Sequence, residues 1–180
     1  MTQTSRLIKI LDKKEIEAFN SYILTTENIE FIRDVNEGVL RKIPQKAFNC
    51  AQLSALLGAV ICDNSEIPVA VISGHLDYFE KRIFNCKSPI PYSTEKREIN
   101  EVWDGHCWVE LPNMIIDNSF FRTIYYGNVS SGLKDQIIKQ FGSGKGTLIA
   151  PIEKMNTIGF NYTPCYELNQ SQINGLIKSL

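Results

Sequence analysis

Cys50 follows Asn49 and opens an apolar run in which Leu53, Leu56, Leu57, Val60 and Ile61 recur at helical spacing among Ala51, Ala55 and Ala59. Asn49 is a good N-cap residue, so the pattern predicts a central helix over 50–62 with Cys50 in its first turn. Unpaired amide N–H groups and the positive end of the helix dipole favour an anion there, which biases a thiol towards thiolate, the form that attacks carbonyl carbon. Taken alone, the same pattern also describes a small buried cysteine.

A second cluster gives that thiol chemical company. His106 to Leu111 and Met114 to Asp117 are β-rich runs separated by Pro112-Asn113, which reads as a hairpin, although Pro112 forbids the positive φ of the tightest primed turn. If Leu111 pairs with Met114, Asp117 lies across from Trp108. His106 is then on the same face, diagonal to Asp117 at about 7–8 Å between backbones and within side-chain reach. A slip of two residues makes the two direct partners; a slip of one puts them on opposite faces.

Cys50, His106 and Asp117 are thus the parts of a Cys-His-Asp triad. His106 would take the proton of Cys50 and return one to a leaving group, while Asp117 would fix the imidazole tautomer and stabilise its charged form. The backbone N–H of Cys50 is a natural half of an oxyanion hole. Gln45 could add a side-chain amide, or it is a surface glutamine in the loop before the helix. Trp103 and Trp108 read as core or cleft wall, with Trp108 a support for the site. Glu110, on the His106 face, is either a second carboxylate near the site or an edge residue, and Cys107, pointing the other way, reads as an inert core thiol.

The residues together resemble the transglutaminase-like branch of the papain-like cysteine-enzyme superfamily: Cys50 opening an apolar helix, then His106-x-Trp108-x-Glu110, then Ile116-Asp117-x-Ser119. The match covers residues 48–120, and the order Cys, His, Asp with 56 residues from Cys50 to His106 suits the family. Members often carry Gly or Gly-Gln before the cysteine, where this chain has Phe48-Asn49. Asn118 stands where Pro is common, and the 11 residues from His106 to Asp117 make a short hairpin. The resemblance implies a papain-like fold and acyl-thioester chemistry shared by crosslinking enzymes, peptidases, peptide:N-glycanases and, more distantly, arylamine N-acetyltransferases. Hydrolysis of an amide or peptide bond is the expected reaction, on a peptide, protein or small amide. Transglutamination, small-molecule acyl transfer and a non-catalytic binding module that keeps the fold are the alternatives.

Other patterns point less far. His75-Leu76-Asp77 offers a rival His–Asp pair on one strand face. Gly144-Lys145-Gly146-Thr147 lacks the first glycine of a phosphate-binding loop, since Lys139 stands there, and follows a helix, so it reads as a turn. Two histidines and five irregularly spaced cysteines without Cys-x-x-Cys give neither a metal site nor a secreted disulfide framework, and no cofactor is expected. A net charge of -1, from 19 Lys+Arg against 20 Asp+Glu, argues against nucleic acid as a partner. No apolar run approaches the ~18 residues of a membrane span, and Met-Thr-Gln-Thr-Ser-Arg does not lead into a secretory core; a cytoplasmic, reducing setting is the expectation.

The elements that must position the triad follow from the same periodicities. Residues 13–24, after Asp12 as N-cap, and 27–41 predict two amphipathic helices in a charged N-terminal segment, 1–42. Residues 67–73 predict a buried strand, and a loop with Pro89 and Pro91 follows. Beyond the hairpin, 120–126 reads as aromatic and extended, 133–141 as a helix and 147–150 as a short strand; a final helix is capped by Asn169 or Ser171. The expectation is one α+β domain over 1–180. Its transglutaminase-like core is 44–126, with 127–180 a helix and strand extension and a cysteine-bearing helix packed on an antiparallel sheet.

Overall fold

The computed structural model describes residues 3–91 and 103–180. Met1 and Thr2 of the expected N-terminal segment, and residues 92–102 of the loop after Pro91, lie outside the described residues. The fold is α+β. Its sheet contains β1 (Ala70–Tyr78), β2 (Lys81–Phe84), β3 (His106–Leu111), β4 (Met114–Asp117), β5 (Leu148–Pro151) and β6 (Phe160–Glu167). Every pairing is antiparallel, in the order β2-β1-β3-β4-β5, with β6 on the other side of β1.

The β3–β4 hairpin takes the register that places His106 diagonal to Asp117: Leu111 pairs with Met114, Glu110 with Ile115 and Val109 with Ile116. Asn113 carries the positive φ of the turn, 56°, leaving Pro112 the negative φ that its ring imposes. Alternation along the strands then sorts side chains to two faces. Val71, Val109, Leu111 and Ile116 meet α4 (Cys50–Asn64), through Leu53, Leu57 and Ile61, and α3 (Thr26–Lys42), through Ile32 and Val39. Ile72, Leu76, Trp108, Ile115 and Tyr162 face the other way, against Leu7 of α1 (Gln3–Leu7) and Ile16 and Phe19 of α2 (Lys13–Ser21).

The N-terminal helices start where side chains can close their first turns. Asp12 and Thr25 both accept from the N3 backbone amide while the N3 side chain returns a bond, completing capping boxes. Asn169 does the same for α8 (Gln170–Lys178), which lies beside α4.

The segment 120–126 forms α5 (Phe120–Tyr126) rather than extended chain. Its aromatic content favours a strand, but Asp117 Oδ1 accepts from the amides of Ser119 and Phe120 at 3.1 and 2.9 Å, turning the chain into a helix whose Phe120, Phe121 and Ile124 face the core. The predicted helix at 133–141 is α6 (Ser131–Phe141). α1, β2, α7 (Ile152–Thr157) and β6 have no counterpart in the sequence reading. Of these, β6 matters most, because it is hydrogen-bonded along β1 and carries Tyr162 beside the triad.

Candidate active site

His106 begins β3 opposite Gly74 of β1. A Cβ on Gly74 would come 2.2 Å from the Thr163 carbonyl oxygen and 2.6 Å from the Trp108 ring, so glycine there lets β6 and Trp108 close around the strand end. The imidazole is fully buried, stacked on Phe84 at 4.6 Å between ring centres, with Trp108 at 6.4 Å behind it. Nε2 donates to Asp117 Oδ2 at 2.6 Å. Nδ1 has no hydrogen-bond partner of regular geometry, which leaves it for Cys50, the other ionisable group acting on the ring. Sulfur and imidazole are thus neighbours without a completed hydrogen bond, a common state of unliganded catalytic pairs.

Asp117 is fully buried and saturated with donors. Oδ2 accepts from His106 and from the Tyr162 hydroxyl at 2.8 Å; Oδ1 accepts from the Ser119 hydroxyl and from the amides of Ser119 and Phe120. Burial works to raise its pKa, but the His106 charge and these hydrogen bonds outweigh it and hold the carboxyl below its ordinary range. For His106, burial alone would depress the pKa. The Asp117 carboxylate, its hydrogen bond and Cys50 outweigh that and push it up to about 10.

Cys50 reaches this pair from the other face. α4 packs on the Cys107 side of β3, and its first turn lies at the open end of that strand, where Cys50 meets both Cys107 and His106. The Cys107 thiol and the His106 imidazole act on the Cys50 sulfur and, against the pull of burial, together hold its thiol well below its ordinary pKa. Cys107, read as an inert core thiol, is a free, fully buried thiol on the opposite face as its alternation requires, and it lies against Cys50.

Asn49 occupies the N-cap position of α4, but its side chain makes no capping bond and its Oδ1 is buried without a partner. The helix ladder begins with the Leu53 amide on the Asn49 carbonyl at 3.0 Å. The amides of Cys50, Ala51 and Gln52 therefore precede the first intrahelical donor and have no acceptor in the helix ladder, so they can face an anion.

Cys50 is 9% exposed and lines a cleft of about 340 Å³ with Phe48, Gln52, Phe84, Trp103 and Thr123. Phe48 takes φ 60° and is held by its amide on Thr123 Oγ1 at 3.3 Å. A bulky residue in this conformation costs on the order of 1–3 kcal/mol, so the turn into Cys50 is strained. A left-handed position two residues before the cysteine suits glycine, the residue that the resembled family often carries in this approach.

The remaining expected site residues lie elsewhere or act indirectly. Gln45 is exposed, accepts a hydrogen bond from the Tyr126 hydroxyl and lines a different cavity, so it is not brought to the thiol. Trp108 is a wall behind His106, its Nε1 donating to Glu110 at 3.0 Å. Glu110 is neither an edge residue nor a second carboxylate of the site. It is buried and paired with Arg6 at 2.9 Å, which ties α1 to the sheet. The rival pair is not a pair: His75 Nδ1 accepts from the Cys86 amide at 3.0 Å, while Asp77 bonds Arg82. Among the described residues, no group of three or more His, Cys, Asp or Glu could hold a metal ion, and no helix is long and apolar enough to cross a membrane.

Tyr162 is the residue that the sequence reading missed. The run from Phe160 has the alternation of a strand, with Phe160 and Tyr162 buried and Asn161 and Thr163 exposed, but nothing local reveals that this strand joins β1 beside Asp117. Tyr162→Phe is expected to cost about 2 kcal/mol at pH 7, as the loss of a buried hydrogen bond to a charged group. Because the Asp117 pKa is depressed in the fold, the stability that its partners supply is present above the ordinary carboxyl pKa and lost as pH falls through the depressed value. The deficit should shrink on acidification, which urea unfolding across that range measures; a deficit independent of pH would contradict this role.

Comparison of the chain with protein-family models, curated proteins and solved structures found no match.

Proposed function

We propose that the protein is a cysteine-dependent acyl-transfer enzyme that hydrolyses an amide or peptide bond through a thioester on Cys50, built on a papain-like, transglutaminase-like core. The observation that carries this reading is a thiol favoured in its ionised form, lining a cleft, beside a buried imidazole whose far nitrogen is held by a carboxylate. The Cys50 thiolate adds to the carbonyl carbon, and the free amides of the first turn of α4 receive the developing oxyanion. His106 gives its Nδ1 proton to the departing amine nitrogen as the C–N bond breaks, leaving a thioester. The neutral imidazole then takes a proton from water as the oxygen attacks; collapse breaks the C–S bond, releasing the acid and the thiolate. Asp117 keeps Nδ1 turned to the sulfur and stabilises the ring whenever it is charged. Water is the second acceptor in this reading, and an amine acceptor, which would make the reaction a transglutamination, is the alternative.

Iodoacetamide at pH 6, followed by peptide mass mapping, tests the reading. An ordinary thiol is under about 1% ionised at that pH. Cys50 should therefore be alkylated about tenfold or more faster than exposed Cys62, and faster than Cys86, which burial pushes up to about 12. Equal rates would overturn the reading in favour of a binding module. A transient acyl adduct on Cys50 after incubation with acyl-CoA donors would move it to small-molecule acyl transfer.

A further inference from the structure

The cleft at Cys50 continues beyond it. Phe48, Ile83 and Phe84 line that cleft and also a second cavity of about 580 Å³, so the two are lobes of one groove meeting at Phe48 and the end of β2. Phe84 is the ring stacked on His106, which sets the junction of the lobes beside the imidazole. Phe48, 61% exposed and fixed by its left-handed backbone, stands between them as a partition that a bound chain must pass.

The lobes differ in chemistry. In the first, the charged lining residues among those described, Lys87 and Asp104, satisfy each other at 3.4 Å, and Phe84, Ile90, Trp103 and Leu176 give an otherwise mixed lining one apolar wall. In the second, the charged lining residues among those described are Lys81 and Arg82, with no carboxylate among them. Arg82 is already held by Asp77 and Asn85. Lys81 has no ion pair among the described residues, so its ammonium is the uncompensated charge of the groove.

We infer that the groove takes an extended, peptide-like amide with an apolar residue in the Cys50 lobe and a carboxylate in the lobe beyond Phe48. The assignment rests on Cys50 being the nucleophile. It names the substrate's chemistry, not its source: the carboxylate is an acidic side chain or a free C-terminus.

Chloroacetyl-phenylalanyl dipeptides that alkylate Cys50 test this without a turnover assay. The probe ending in glutamate amide should label about fivefold faster than its glutamine counterpart, the scale of one exposed charge pair, and the lysine probe more slowly still. Lys81→Glu should abolish or invert that order when each rate is divided by the iodoacetamide rate of the same variant; Lys154→Glu, at a lysine that lines neither lobe, should keep it. Leucine in the second position, as free acid and as amide, separates the two sources. A gain for the acid assigns the C-terminus, and a gain for the glutamate amide alone assigns the side chain. No gain for either carboxylate, or a preference that survives Lys81→Glu, overturns the assignment. Iodoacetamide that still prefers Cys50 while the dipeptides are blind to charge sinks the groove assignment alone; loss of the iodoacetamide preference sinks the functional reading as well.

Discussion

His106→Ala is expected to erase the selective alkylation of Cys50 at pH 6, a loss of about tenfold or more relative to Cys62 in the same molecule. Two opposing influences decide the ionisation of this thiol. Burial favours the neutral form, whereas the Cys107 thiol and the His106 charge favour the thiolate. Cys107 brings no positive charge; the His106 imidazolium is the cation that acts on the Cys50 sulfur. Without it, the thiol of a buried residue has burial to overcome with far less help, and its rate should fall to or below that of Cys62. Using Cys62 as an internal reference removes reagent and concentration effects. If His106→Ala leaves the ratio of the two rates unchanged, the imidazole does not ionise the thiol and the proposed triad fails.

Asp117→Asn should have the larger effect on the imidazole itself. The His106 pKa is about 10 because the carboxylate and Cys50 outweigh burial, which alone would lower it. With a neutral amide in place of the carboxylate, the buried ring should titrate well below 10, visible in the pH dependence of its Hε1 proton resonance.

The stability consequence has a definite sign. A histidine whose pKa is raised by folding stabilises the fold fully below its unfolded pKa, about 6.5, and that contribution is lost as pH rises towards 10. Asp117→Asn should therefore cost on the order of 3–5 kcal/mol at pH 6 and less at pH 9, as expected when one partner of a buried charge pair is removed. It should also reduce Cys50 labelling as His106→Ala does. A resonance that still titrates near 10 in the variant would show that Asp117 does not hold the charge.

Several parts of this site are legible in local residue patterns because they depend on local physics. A two-residue turn at Pro112-Asn113 fixes the register of β3 against β4, and that register puts His106 and Asp117 on one face with no reference to the rest of the chain. The period of the Leu and Ile residues after Cys50 likewise predicts a helix with the thiol in its first turn. Residue propensity alone failed at two places. The aromatic segment from Phe120 became a helix because the Asp117 side chain caps it, and Asn49 sits at the N-cap of α4 without closing it.

The amino-acid order by itself singled out Cys50, His106 and Asp117 as candidates and set the facing of the last two, because turn geometry and strand alternation are short-range constraints. Only the folded chain decided that the first turn of α4 lies at the open end of β3, that Tyr162 arrives from 45 residues beyond Asp117 to share its carboxylate, and that Glu110 belongs to Arg6 instead of the site. Those contacts join elements distant along the backbone. Their pairing is set by which faces of the whole sheet remain to be covered, a property that no single segment carries.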